Sequence, residues 1–179
     1  MALIIRSSAI HAAGCYTTTI IRKGTRVTEY DGPRITKDEA DELYKDAPLT
    51  YLFGLGDGSI VIDGHSMAMF INHSCQPNCE TEEVDGRVWI TAIRNIPAGA
   101  EITYDYCLYD GGEEECLCNC GAPRCRGTMY SNEETRRRIA ASGRIQKDGA
   151  SGKKLRRLEN RTGRSPGCPR ESLDLPKTP

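Results

Sequence analysis

Short apolar runs separated by glycine-bearing turns dominate the first two thirds of the chain. Leu3-Ile4-Ile5 predicts a first strand, and Thr25 to Tyr30, rich in β-branched and aromatic residues, predicts another that ends at Asp31-Gly32. Tyr51 to Leu55 and Ile60 to Asp63 flank Gly56-Asp57-Gly58, and Glu80 to Val84 and Arg87 to Ile93 flank Asp85-Gly86. Aspartate and glycine tolerate the positive φ that tight turns require, so both pairs read as hairpins. Pro97-Ala98-Gly99 predicts a turn before a strand over Glu101 to Tyr104. Helical patterning is confined to two places. Thr36 and Glu39 have capping-box spacing ahead of an apolar face of Ala40, Leu43 and Tyr44 that runs out by Pro48, and Glu133 to Ala140 predicts a second helix. Many short strands at close intervals predict a mainly β body of several small sheets with short helices. Beyond Gly143 apolar residues thin out, and disorder is expected from about Gly149 onward.

Charge divides the chain more sharply than its formal net of −1 suggests. Residues 1–130 hold 11 Lys/Arg against 19 Asp/Glu, hence −8, and residues 131–179 hold 13 against 6, hence +7. The acidic body suits cationic partners, and the basic stretch over residues 144–179 suits contact with nucleic acid. Lys153-Lys154-Leu155-Arg156-Arg157 has the composition of a nuclear address, which a flexible basic tail also produces. No apolar run approaches the ~18 residues of a membrane span, so no membrane is expected as a partner. Nothing near Met1 reads as a secretory signal. The nine cysteines are odd in number, and four fall between residues 116 and 125, which points to an intracellular, reducing compartment and a metal site rather than a disulfide framework.

Three stretches carry chemistry. Phe70-Ile71-Asn72-His73-Ser74-Cys75-Gln76-Pro77-Asn78-Cys79 combines an amide, an imidazole, a hydroxyl and two thiols, which serves a polar ligand or metal, or else a turn whose polar groups satisfy its own backbone. Tyr104-Asp105-Tyr106 places two phenols two residues apart, on one face of an extended segment. Cys118-x-Cys120-x4-Cys125 brings three thiolates into one loop that Gly121 and Pro123 allow to turn around a tetrahedral ion, with Cys116 and Cys75 as candidate fourth ligands. Cys15, Cys79, Cys107, Cys116 and Cys168 otherwise read as structural. A Cys-His nucleophile pair is disfavoured, because His73 and Cys75 are so close in sequence that they are not expected to face each other.

Together the three stretches resemble the SET-domain family of protein lysine methyltransferases with its cysteine-rich post-SET segment. The resemblance covers residues 1 to about 130 and implies a SET domain over 1–109, a post-SET zinc-binding segment over 110–130 and a basic, largely disordered tail over 131–179. It implies the SET fold of small curved sheets with a knot-like C-terminal motif and a zinc-bound post-SET loop. S-adenosylmethionine is then the methyl donor, held by Ala13, Gly14, Cys15, Tyr16, Asn72, His73 and Tyr106. Structural zinc falls to Cys75, Cys118, Cys120 and Cys125. Glu29-Tyr30-Asp31-Gly32 is similar to the family's Glu-Tyr-x-Gly element, so Tyr30 joins Tyr104 and Tyr106 as catalytic residues lining a lysine channel, with Tyr106 the active-site hydroxyl. A tyrosine at position 104 implies a mono- or dimethyl product. The implied substrate is a lysine-containing basic protein such as a histone, and Lys147, Lys153 and Lys154 of the tail are candidate targets as well.

The sequence departs from the family pattern at Ala12, where the first glycine of the donor turn belongs, at His65-Ser66 for Gly-Asn, and at Met69 for arginine. These departures define the alternative: a zinc-stabilised binding module with a degraded donor site, recruited to nucleic acid or chromatin by its tail. The compartment implied is cytoplasmic or nuclear, a host nucleus included if the source is bacterial or viral.

Overall fold

The computed structural model describes residues 2–47, 49–108 and 116–148. In chain order the elements are β1 (Leu3–Ser7), β2 (Ala13–Thr17), β3 (Arg26–Tyr30), β4 (Arg34–Thr36), α1 (Lys37–Leu43), β5 (Leu52–Leu55), β6 (Ile60–Asp63), a 3-10 turn (Met67–Phe70), β7 (Asn72–His73), β8 (Cys79–Val84), β9 (Arg87–Ala92), β10 (Thr103–Tyr104) and α2 (Asn132–Asp148). They form four small sheets: β1-β2, β3-β9-β8, β4-β6-β5 and β10-β7. The pairing is antiparallel except between β10 and β7, where Thr103 and Tyr104 lie parallel to Asn72 and His73. The expected mainly β body of small sheets is thus observed.

Local chemistry explains most of these elements. Asp85 and Gly86 take φ of 52° and 69° and close β8 onto β9 as a two-residue turn, with Val84 opposite Arg87. Gly56 and Gly58 likewise adopt positive φ between β5 and β6, where Leu55 pairs with Ile60. Thr36 caps α1 through its side chain, and Glu39 returns the bond to the Thr36 backbone, completing the capping box. The apolar face of α1 is narrower than its composition suggests. Ala40 is buried and Tyr44 packs beside it, but Leu43 is 64% exposed, because this seven-residue helix presents only its i, i+4 stripe to the sheet. The turn expected around Gly14 is the start of a strand, β2, recruited by pairing from Leu3↔Thr17 to Ser7↔Ala13. The second helix begins as expected but continues through Gly143 to Asp148. The stretch from Gly149 onward, for which disorder is expected, and Cys168 lie outside the described residues.

One core draws on all four sheets. Ile62, Ile71, Ile90, Ile96 and Ile102 are each at most 1% exposed and pack with Val88, Tyr30, Phe53 and Tyr104. Each such side chain contributes about 1.5–3 kcal/mol on burial. Gly64 is required here: a Cβ at that position would lie 2.7 Å from the Tyr30 ring. The polar strand β7 sits inside this apolar frame, with Asn72 and His73 only 6% and 3% exposed, so their polar atoms must be satisfied by the protein or by a ligand. No helix among the described residues is long and apolar enough to cross a membrane.

Candidate active site and metal centre

The sulfurs of Cys75, Cys118, Cys120 and Cys125 lie within 4.8 Å of one another. Four thiolates about 2.3 Å from a tetrahedral ion are separated by about 3.8 Å. Cys75 Sγ is 3.6 Å from Cys118 Sγ and 3.9 Å from Cys125 Sγ, two edges close to that length. The fourth sulfur of the cluster is that of Cys75, 43 residues before Cys118, whereas Cys116 stands outside the cluster. Gly121, at φ 68°, makes the turn between the ligands. Backbone amides aim at the sulfurs: Arg126 N–H donates to Cys75 Sγ at 3.3 Å, Gly127 N–H to Cys125 Sγ at 3.4 Å and Cys75 N–H to Cys120 Sγ at 3.4 Å. Burial pushes the Cys118 thiol up. At Cys120 burial acts in the same direction but is outweighed by the N–H groups of Cys75 and Ala122 and by the neighbouring thiols, which bring it to about 6. A divalent cation at this cluster would hold all four as thiolates at once.

His73 links this cluster to the second half of the site. The Tyr106 backbone N–H, which can only donate, reaches His73 Nδ1 at 3.1 Å. Nδ1 is therefore the acceptor, and Nε2 carries the proton and directs it to Cys75 Sγ at 3.3 Å. Burial, opposed by Asp105 and reinforced by Arg126, lowers the His73 pKa to about 4, consistent with a neutral ring. His73 and Cys75 thus do face each other, contrary to the sequence expectation, because the chain bends at Cys75 just after β7 and brings the thiol to the ring. Both imidazole nitrogens are engaged within the protein.

Tyr104 and Tyr106 follow β7 in space as the parallel pairing requires. Their rings lie 4.9 Å apart at 46°, and Tyr106 Oη donates to the Ile71 carbonyl at 2.9 Å. Asp105, between them, turns the other way and receives both terminal nitrogens of Arg126, at 2.6 and 2.8 Å. Tyr30 is wholly buried, its ring 5.4 Å from that of Phe53 and its hydroxyl donating to the Tyr51 carbonyl at 2.7 Å.

The donor-turn residues gather on the opposite side of β7. Asn72 Nδ2 donates to Ala13 O at 3.0 Å, to His11 O at 3.4 Å and to Glu101 Oε1 at 2.7 Å. Ala12 adopts φ 32°, in the left-handed region that favours glycine. Gly14 is needed for space: a Cβ there would lie 2.3 Å from Glu101 Oε1. Cys15 is fully buried, its carbonyl taken by Ile102 N–H, and burial together with Glu101 raises its thiol to about 11, which makes it inert at neutral pH. Tyr16 Oη donates to Glu101 Oε2 at 3.0 Å. Glu101, Asp105 and Arg126 are prominent here, and sequence alone singled out none of them. Arg126 directly follows Cys125 and Asp105 stands inside the tyrosine triplet, but only the folded chain pairs them.

The sequence pattern of the SET domain matches residues 12–107. The chain belongs to the SET-domain family. The match takes in the donor turn, the Asn72 to Cys75 element and the tyrosine triplet, and it ends before the Cys118 loop. Outside the SET domain the chain supplies three of the four clustered cysteines. The chain is 37% identical over 127 residues to the histone-lysine N-methyltransferase, H3 lysine-36 specific, of Mus musculus, covering 65% of this chain and 5% of that protein. It is 39% identical over 130 residues to the histone-lysine N-methyltransferase trithorax of Drosophila virilis, covering 66% of this chain and 3% of that protein. With the histone-lysine N-methyltransferase ash1 of Drosophila melanogaster it shares 34% over 162 residues, 83% of this chain and 7% of that protein. The chain thus spans less than a tenth of the length of these relatives. The methyl donor of SET domains is S-adenosylmethionine, and the four-cysteine cluster after the domain fits a zinc site.

Proposed function

We propose that this chain is an S-adenosylmethionine-dependent protein-lysine N-methyltransferase. The observation that carries this reading is the single β7 element holding Asn72 against the donor turn on one side while Ile71 and His73 fix Tyr106 on the other. Ala13, Gly14, Cys15, Tyr16, Asn72 and His73 frame the donor side. Cys15 and His73 contribute through backbone and placement, since the thiol is buried and both ring nitrogens are engaged. When bound, the donor supplies an electrophilic methyl group on a sulfonium.

What the protein must do is deliver a neutral lysine amine to that methyl. At pH 7 the amine lies about 3.4 units below its usual pKa, a cost of about 4.6 kcal/mol. Tyr104 and Tyr106 form an aromatic wall that strips water from the ammonium and favours its neutral form. Tyr106, oriented by its bonds to Ile71 and His73, is the hydroxyl that aligns the amine lone pair, and alignment of the two reactants lowers the barrier. The buried Tyr30 is assigned to the inner wall behind Phe53, where its effect on the channel is through packing. Tyr104 narrows the channel and favours a mono- or dimethyl product. Zinc at Cys75, Cys118, Cys120 and Cys125 takes no part in the chemistry. It would fasten the loop holding Cys118, Cys120 and Cys125 to Cys75 of the SET domain.

The acidic body suits a basic protein substrate, and the relatives named for histone H3 lysines make a histone the first to test. A nuclear or cytoplasmic compartment that keeps the four thiols reduced fits this reading. The test is intact-mass analysis of lysine-rich proteins and of the chain itself after incubation with S-adenosylmethionine. Gains in whole methyl groups that disappear with Tyr106→Phe support the proposal, and no gain on any substrate overturns it.

One observation favours a second reading. The left-handed φ of Ala12 strains the turn that meets the donor, as a binding module with a degraded donor site would tolerate. In that case Ala12→Gly restores no donor binding, and the basic residues over 144–179 carry a salt-sensitive affinity for nucleic acid that is lost on their removal.

A further inference from the structure

We propose that Glu101 is a positioning residue of the methyl-donor site, fixing both the donor turn and the orientation of the Asn72 amide. The inference rests on the methyltransferase reading above. Glu101 Oε1 accepts from Asn72 Nδ2 at 2.7 Å and from Ser8 Oγ at 2.8 Å, and Oε2 accepts from Ser8 Oγ at 3.0 Å and Tyr16 Oη at 3.0 Å. One carboxylate thereby joins the residue after β1, the far end of β2 and the central strand β7. Its own backbone is anchored too: Glu101 bridges Tyr16, and its carbonyl accepts from Asn78 Nδ2 at 2.7 Å.

The turn between β1 and β2 is held from both ends of this arrangement. Ser8 Oγ receives the Ile10 N–H at 3.0 Å, and Ser8 N–H donates to the Ala12 carbonyl at 3.1 Å. Asn72 Nδ2 meets the carbonyls of Ala13 and His11. Ala12 would leave its left-handed conformation readily if these contacts were loose, so the clamp is what keeps the backbone in place. Gly14 completes the fit, because any side chain there would displace Glu101 Oε1.

The carboxylate contributes something a neutral group of the same shape does not. An ionised glutamate only accepts, so the Asn72 side chain must present its NH2 group to Glu101 and turn its Oδ1 away. Oδ1 is then the acceptor available to an ammonium group, which is the charge the amino-acid end of the donor carries. A glutamine at 101 has both an acceptor and a donor end, so the selection of this Asn72 orientation would be left to the Ala13 and His11 carbonyls at 3.0 and 3.4 Å.

The test compares wild type with Glu101→Gln. Calorimetry with S-adenosylmethionine and steady-state kinetics on one lysine peptide are run on the zinc-loaded full chain. The expected result is donor affinity weaker by about tenfold, as for one lost charge-assisted bond, with the donor KM raised and the peptide KM unchanged. Glu101→Asp, which keeps the acceptor-only chemistry, is expected to recover part of the loss. Equal donor affinity in wild type and Glu101→Gln overturns the proposal and leaves the methyltransferase reading standing. So does a fall in thermal stability with both KM values unchanged, since that is a purely structural role. A wild type that binds no donor overturns both. If Glu101→Gln does not fold, Ser8→Ala is measured instead: a smaller loss of donor affinity supports the clamp, and none overturns it.

Discussion

Replacing Arg126 with methionine tests how the metal loop reaches the catalytic segment. Arg126 gives Asp105 two bonds at 2.6 and 2.8 Å, and its side chain and that of Asp105 are 21% and 22% exposed. It also donates to the Tyr130 carbonyl at 3.2 Å. Methionine keeps most of the apolar stem but leaves the Asp105 carboxylate beside His73 Nδ1, 3.4 Å away, with no cation facing it. Breaking a fully buried pair costs about 3–5 kcal/mol, and exposed pairs contribute at most about 1 kcal/mol, so a pair one-fifth exposed should cost about 2–3 kcal/mol. For a chain of this size that lowers Tm by roughly 4–12 °C. The four sulfurs and the Arg126 backbone N–H that meets Cys75 are untouched, so bound zinc should stay at one per chain. Methyl transfer should fall about tenfold, because Asp105 lies between Tyr104 and Tyr106 and a shift of its backbone carries Tyr106 N–H off His73. Thermal unfolding, zinc content and initial rates are measured for wild type, Arg126→Met, Asp105→Asn and the double variant. The expected coupling is about 2 kcal/mol, and additivity within about 0.5 kcal/mol would show that the pair does not connect loop and triplet.

Three further perturbations read the metal loop, the core and the start of α2. Cys75→Ser removes the ligand supplied from within the SET domain, so zinc affinity should drop steeply and protease cleavage between Cys116 and Cys125 should accelerate; unchanged zinc content would place the fourth ligand elsewhere. Gly64→Ala puts a Cβ against the Tyr30 ring, and a loss of about 1–3 kcal/mol in denaturant melts is expected, with neutrality contradicting the close packing. At the start of α2, Arg137 holds the Glu134 carboxyl below its usual pKa, against burial and with the help of Arg138. A depressed folded pKa gives stability that is present above the unfolded value, about 4.3, and is lost as pH falls through the folded one. Wild type should therefore exceed Glu134→Gln by about 1 kcal/mol at pH 7 and lose that margin in acid; a margin independent of pH would assign it to packing.

Local signals made the hairpins and the cap of α1 legible. Asp85-Gly86 and the Thr36, Glu39 pair determine their own geometry whatever surrounds them. The Cys118 to Cys125 spacing announced three ligands for the same reason. The choice of Cys75 over Cys116 came only through family resemblance, since nothing local ties residues 43 positions apart. Strands β2 and β7 were illegible: Ala-Gly and Asn-His have little strand propensity, and both become strands because β1 and β10 pair with them. Leu43 and the contact of His73 with Cys75 were misjudged where a side-chain direction was guessed from composition or closeness. Glu101 shows the largest gap. In sequence it is one acidic residue opening a strand, and only the approach of Ser8, Gly14, Tyr16 and Asn72 makes it the hub of the donor side.

Methyl transfer to lysine is assigned to the Asn72, Tyr104 and Tyr106 site. Its most direct measurement incubates the zinc-loaded chain with core histones and S-adenosylmethionine bearing a deuterated methyl, then locates the label by tandem mass spectrometry. Labelled methyl is expected on lysine Nζ, in one or two copies, absent with Tyr106→Phe. Label on another residue type, or none while the donor is bound, would contradict it.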